Sequence, residues 1–179
     1  MAYFYCDFRD SNYRVPVNVV GSIIGQLVMQ ETNIPQHLLD LYEMHSKSRA
    51  RPSLQALLDL LANVLEGTSG LCRTYIIVDA VDECMDREDL LAGLSVLQSL
   101  SDLKVNILVA SRGENDIKDA FDGLPSLVIK ESNIASDVEL YVLSEIEKRK
   151  SLKGKPDKVK SRIQSALVKG AKGMCVISS

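Results

Sequence analysis

The sequence predicts an α/β fold built on a parallel sheet, and three observations carry that expectation. Apolar periodicity switches repeatedly between strand-like and helix-like along the chain, the strand-like runs barely alternate, and turn residues bound each run. Runs with little alternation suit strands covered on both faces, as in a parallel sheet. The 179 residues, 46% hydrophobic and 25% charged with a formal net charge of -3, suffice to bury a core without disulfides or a structural metal.

The elements follow in order. Tyr3 to Phe8 is an aromatic-rich strand closed by the polar turn Arg9 to Asn12. Val17 to Gln30 carries Val20, Ile23, Ile24, Leu27 and Val28 at the one-face spacing of an amphipathic helix. Gln36 to His45 is a shorter helix. Ser53 to Glu66 has Ser53 as N-cap after Pro52 and Gly67 as its stop. Thr74 to Asp79, TYIIVD, is a β-branched strand, followed by a helix over Glu88 to Leu100 whose first acids suit a helix N-terminus. A strand over Val105 to Ala110, a short helix over Asn115 to Phe121 and a fourth strand over Ser126 to Ile129 come next. Helices over Ala135 to Lys150 and Asp157 to Lys169 close the series. This alternation predicts helices on both faces of the sheet.

Composition narrows the function classes. The four cysteines, at 6, 72, 84 and 175, form no C-x-x-C pair, and the two histidines, His37 and His45, stand at no zinc-ligand spacing to them. That pattern disfavours a zinc site or disulfide framework and fits a reducing, cytoplasmic setting. No basic leader and no bilayer-length apolar run is visible, so secretion and membrane insertion are not expected. Nucleic acid is not an expected partner. The net charge is slightly acidic, Trp is absent, and the basic stretch Lys148 to Lys160 reads as a solvated helix boundary.

The chemistry-bearing segment is TYIIVDAVDEC, residues 74 to 84. A hydrophobic strand ends in Asp79, and Asp82 and Glu83 follow. Ligands of open α/β sheets bind beyond the carboxyl ends of the strands. An acid there suits Mg²⁺, which takes oxygen ligands, and further acids can orient a water for attack on phosphorus. On spacing alone an equal reading stands: Asp79 caps a turn, and Asp82 and Glu83 sit as favourable charges ahead of the next helix. VNILVASR, residues 105 to 112, delivers Arg112 to a neighbouring strand end. Such an arginine can contact a phosphate; alone, a surface arginine before a Gly turn is the simpler reading.

Taken in order, YFYCDFRD, IIGQLVMQ, TYIIVDAVDECMDREDLLAGL, VNILVASRGENDI and the degenerate GMCVIS at Gly173 to Ser178 resemble the NACHT-type signal-transduction NTPases. The nearest group is the nephrocystin-like N-terminal domain of fungal proteins that carry ankyrin, tetratricopeptide or WD repeats. The resemblance implies a three-layer P-loop NTPase-like fold with a Walker B aspartate at Asp79 for the metal, catalytic acids at Asp82 and Glu83, and a nucleotide-sensing Arg112. It implies Mg²⁺ and ATP or GTP as cofactors, and protein partners through self-association or repeat domains. This chain has Gly113 where the family usually has proline, and Cys175 and Ile177 where it usually has aromatics.

A P-loop needs G-x-x-x-x-G-K-[S/T], whose backbone N–H groups cradle phosphates. None is present; Gly21 to Gln26, GSIIGQ, lacks the spacing and the lysine. Residues 1–179 therefore read as a partial NACHT-like domain, the Walker B and sensor half, missing the first strand, with a helical extension starting near 155. The family's strand order, 5-1-4-3-2, places the missing strand between Val105 to Ala110 and Ser126 to Ile129. Either a gap with exposed apolar edges or direct pairing of those two runs is expected. The expected function is a fragment of a nucleotide-dependent switch that does not bind nucleotide tightly alone. The alternative is a non-enzymatic interaction or scaffold module.

Overall fold

The computed structural model describes residues 1–48, 50–68, 73–100 and 104–171. The chain forms two compact units, Met1–Leu124 and Pro125–Ser179.

The first unit holds a three-stranded parallel sheet of β1 (Ala2–Tyr5), β2 (Thr74–Asp79) and β3 (Val105–Val109), in that spatial order. Tyr5 lies opposite Asp79, and Val78 opposite Val109, so all three strands end at one rim. Between β1 and β2 run α1 (Pro16–Val28), α2 (Gln36–Ser48) and α3 (Leu54–Thr68). α4 (Glu88–Ser99) joins β2 to β3, and α5 (Asn115–Ala120) follows β3.

Local chemistry explains most boundaries. Pro16 opens α1, where its missing N–H costs nothing. Ser53 Oγ accepts the Ala56 N–H at 3.2 Å, the cap expected for α3. β1 stops at Tyr5 rather than running to Phe8, because Asp7 and Asp10 offer their carboxylates to nearby backbone. Asp7 Oδ1 accepts the Arg9 N–H, and Asp10 Oδ1 accepts the Asn12 N–H at the start of a 3₁₀ turn over Ser11–Arg14.

The expected two-sided sheet is not what forms in this unit. Ala2, Phe4, Ile76, Val78 and Val105 pack into one core with Val20 and Ile23 of α1, Leu61 and Leu65 of α3, and Leu90 and Leu94 of α4. On the opposite face Tyr3, Tyr5, Tyr75 and Leu108 are exposed. Handedness accounts for this. The crossovers β1→β2 and β2→β3 step in the same direction across the sheet, so right-handed connections put all their helices on one side.

Each outer edge is blunted by glutamine. Gln26 accepts the Tyr3 N–H at 3.0 Å and donates to the Tyr3 carbonyl at 2.7 Å, and Gln98 accepts the Ile107 N–H of β3 at 2.9 Å. These side chains satisfy backbone groups that would otherwise template another strand.

The predicted fourth strand does not form. Residues 126–129 have no regular structure, and Leu127 is 90% exposed. β-Branched character supports a strand only where a ladder and a packing face are at hand. Direct pairing of the two runs is thus absent among the described residues.

The second unit contains α6 (Glu131–Lys148), α7 (Lys150–Lys153) and α8 (Asp157–Ala171). Its small core is Val138, Val142 and Ile146, joined by Leu152, Ile163 and Leu167. α6 begins four residues ahead of its predicted start at Ala135. The GMCVIS run at 173–178, with Cys175 and Ile177, lies outside the described residues, as does Cys72.

Candidate functional site

The carboxyl rim of the sheet gathers the acids and the arginine that the sequence singled out. Asp79 is the last residue of β2, and its Oδ1 accepts the N–H of Ala80 at 2.8 Å. Ala80 itself is left-handed, with φ 53° and ψ 42°. A Cβ-bearing residue seldom adopts that conformation, and such outliers persist where surrounding structure imposes them. Here the imposing contacts are the Val81 N–H to the Ala110 carbonyl at 3.2 Å and the Ala110 N–H to the Val78 carbonyl at 2.9 Å. The turn at Ala80 starts the 3₁₀ segment Val81–Glu83 and brings Asp82 back over the end of β3.

Asp82 is the best-held acid. Its side chain is 8% exposed; Oδ1 accepts the backbone N–H of Arg112 at 3.1 Å, and Oδ2 faces the Arg112 Nε at 3.6 Å. Glu83 lies 4.0 Å from the Arg112 Nη2 through Oε1, while its Oε2 accepts the Phe8 N–H at 2.8 Å. The Arg112 side chain is 74% exposed. Its guanidinium thus sits loosely over two acids, whereas its backbone N–H is firmly used. One arginine joins the loops after all three strands, through Asp82, Glu83 and the Glu83 bond to Phe8.

Arg87 escaped the sequence reading. Its Nε and Nη2 grip Asp116 at 2.7 and 3.0 Å, and its Nη1 donates to the Asp82 carbonyl at 2.7 Å. The fork geometry is that of a strong charge-assisted pair. Hydrogen bonding to Arg87 holds the Asp116 carboxyl below the usual carboxylate range, and Asp116 in turn raises Arg87. Asp7 behaves alike: its bonds from Arg9 lower it to about 2. Nothing local signals the Arg87–Asp116 pair, since the partners are 29 residues apart.

Beneath this surface lie two buried thiols, Cys6 just after β1 and Cys84 just after the acids. Cys6 is raised well above the ordinary thiol range, first by its hydrogen bond to Cys84 and then by burial; Cys84 is lowered by the same bond.

A magnesium nucleotide would meet these residues at its two ends, the metal and the phosphates. The second oxygen of Asp79 has no partner among the described residues, which suits one ligand of a cation that keeps most of its waters. Among the described residues no group of three or more His, Cys, Asp or Glu side chains converges as a metal site. Gly21, Gly25 and Gln26 lie inside α1, where the N–H groups serve the helix ladder. The residues present fit a single metal ligand and do not fit the phosphates. No described helix is long and apolar enough to cross a membrane.

The chain is 25% identical over 154 residues to the vegetative incompatibility protein HET-E-1 of Podospora anserina, an alignment covering 82% of this chain and 11% of that protein. The chain therefore spans about a tenth of the relative's length. No solved structure matches it. The family model for the N-terminal region of nephrocystin 3 matches residues 1–112, taking in all three strands, Asp79, Asp82 and Glu83, and ending on Arg112. The chain belongs to the nephrocystin 3 N-terminal family and is a NACHT-type domain.

Proposed function

We propose that this chain is the acid-and-arginine half of a nucleotide-dependent signalling switch and is silent toward nucleotide by itself. The observation that carries the reading is the Asp82–Arg112–Glu83 cluster at the strand ends, where an exposed guanidinium is held at 3.6 and 4.0 Å by two acids. In the intact protein Asp79 is the cation ligand, Asp82 and Glu83 the acids that orient water, and Arg112 the sensing cation. The strand order supports this: β1-β2-β3 corresponds to three neighbouring strands of the family's sheet. The order never reverses among the described residues, and open α/β sheets form their ligand crevice where it does. A phosphate loop and the strand beside β3 would then come from sequence beyond these residues. ATP or GTP with Mg²⁺ is the proposed ligand of the whole domain, and its output is contact with other protein, including copies of itself.

Calorimetric titration of the 179-residue chain with ATP or GTP and Mg²⁺ is expected to give no binding heat at micromolar protein. A dissociation constant in the low micromolar range, about -8 kcal/mol of binding, would overturn the reading.

A second reading, a scaffold module without nucleotide chemistry, is favoured by the apolar sheet face bearing Tyr3, Tyr5, Tyr75 and Leu108. Extending the chain upstream in its own gene separates the two. A G-x-x-x-x-G-K-[S/T] segment there, with nucleotide binding weakened at least tenfold by Asp79→Asn, supports the switch. Its absence supports the scaffold.

A further inference from the structure

The Arg87–Asp116 fork has no part in the switch just described, yet it spans the two loops that the switch uses. Arg87 stands immediately before α4, where its carbonyl accepts the Leu91 N–H at 2.8 Å, and Leu90, Leu91 and Leu94 root that helix in the core. Asp116 lies in the first turn of α5, shortly after Arg112, and the buried Ile117 beside it fixes that turn to the same core. The fork is therefore mounted on rigid elements at both ends.

Three nitrogens of Arg87 are in use. Nε and Nη2 donate to the Asp116 carboxylate at 2.7 and 3.0 Å, and Nη1 donates to the Asp82 carbonyl at 2.7 Å, from a side chain only 20% exposed. Arg112 differs on each count: its guanidinium is 74% exposed and reaches Asp82 and Glu83 only at 3.6 and 4.0 Å. A bidentate charge-assisted contact is strong, whereas an exposed pair at such separations contributes little. Two arginines thus bridge the same pair of loops, one firmly and one loosely.

A sensing arginine that also held the loops together would work against itself. Its departure toward a phosphate would free the loop carrying Asp82 and Glu83 from the end of β3 just as the phosphate arrived. The contacts of Arg87 end on the Asp82 backbone and on α5, so none of them uses the Arg112 side chain. We infer that Arg87 is the positioning residue that keeps the acid loop against the arginine loop, leaving Arg112 free to exchange its acids for a phosphate. The movement of Arg112 belongs to the switch reading, on which this role rests; the hold of Arg87 on the two loops does not require it. Lysine cannot take the place of Arg87, since a point charge offers no planar fork with a third donor to the side.

Amide hydrogen exchange of the 179-residue chain without nucleotide tests that hold. The amide of residue 112 donates to Asp82 Oδ1 and reports whether the loops stay joined, while the α3 amides report global opening. Arg87→Met is expected to lower protection at residue 112 about tenfold relative to α3, the scale of one hydrogen bond to a charged group. Adding Asp116→Ala to it should lower protection no further, Arg87→Lys should restore little, and Arg112→Ala should keep residue 112 protected to within about threefold. Unchanged protection in Arg87→Met, or an equal loss in Arg112→Ala, would sink the assignment. The second measurement uses the chain extended upstream in its own gene. There Arg87→Met should weaken ATP binding about tenfold more than ADP binding, because only the terminal phosphate draws Arg112 away; an equal effect on both nucleotides would reduce Arg87 to a structural residue. Failure of the extended parent to bind either nucleotide counts against the switch reading, whereas an unaltered amide at residue 112 counts against Arg87 alone.

Discussion

Replacing Gly93 by valine should destabilise the first unit by about 3 kcal/mol, the upper end of ordinary overpacking. Gly93 lies in α4 where that helix meets α3. A Cβ there would come within 2.4 Å of Leu58 Cδ1, 2.8 Å of Cδ2 and 3.1 Å of Cγ. Leu58 is a core residue at 7% exposure, so it has little room to turn aside, and valine adds two further methyl groups beyond that clash. The comparison that isolates packing is Gly25→Ala. Gly25 sits in α1 with nothing within 4 Å of its virtual Cβ. There alanine should stabilise by roughly 0.5–1 kcal/mol through backbone entropy alone. Urea midpoints of the two variants should therefore move in opposite directions. A Gly93→Val midpoint equal to that of the parent would show that the helices do not meet at this glycine.

Asp82→Ala is expected to cost about 2 kcal/mol, a typical figure for a hydrogen bond to a charged group whose removal leaves a donor unmet. The bond at issue is the 3.1 Å contact from the Arg112 backbone N–H. The accompanying ion pair, at 3.6 Å to a side chain that is 74% exposed, adds little. Two further variants apportion the effect. Asp82→Asn retains an acceptor oxygen and should cost less than about 1 kcal/mol, and Arg112→Ala, which keeps the backbone N–H, should cost less still. If Arg112→Ala proved as damaging as Asp82→Ala in chemical denaturation, the guanidinium rather than the backbone would be what anchors the loop. Switching by Arg112 would then be implausible, because a sensing side chain must be free to leave.

Much of the architecture is legible in the sequence itself. The Thr74–Asp79 strand, the Ser53 cap and the helix over Glu88 stand out because each depends on residues close together in the chain. The approach of Asp82, Glu83 and Arg112 was legible as a set of strand-end residues, and the structure brings them within ion-pair distance. Other features escaped for one reason: they depend on what lies across the fold. TYIIVD hardly alternates, yet Tyr75 is exposed while Ile76 is fully buried. Whether a strand is covered on one face or two is set by the direction in which crossovers step, which no single run encodes. SLVI at 126–129 has strand-like residues yet stays irregular, because a short run forms a strand only with a partner that its own residues do not supply. The Arg87–Asp116 fork and the left-handed Ala80 likewise arise from three-dimensional closure around the rim.

The single-sided sheet also bears on thermodynamics. The heat-capacity increment of unfolding grows with the apolar surface newly wetted, and Tyr3, Tyr5, Tyr75 and Leu108 are already largely wet in the folded state. The first unit thus gains less heat capacity on melting than a fully sandwiched sheet of equal length. Its stability changes more gently with temperature, bending less toward both cold and heat.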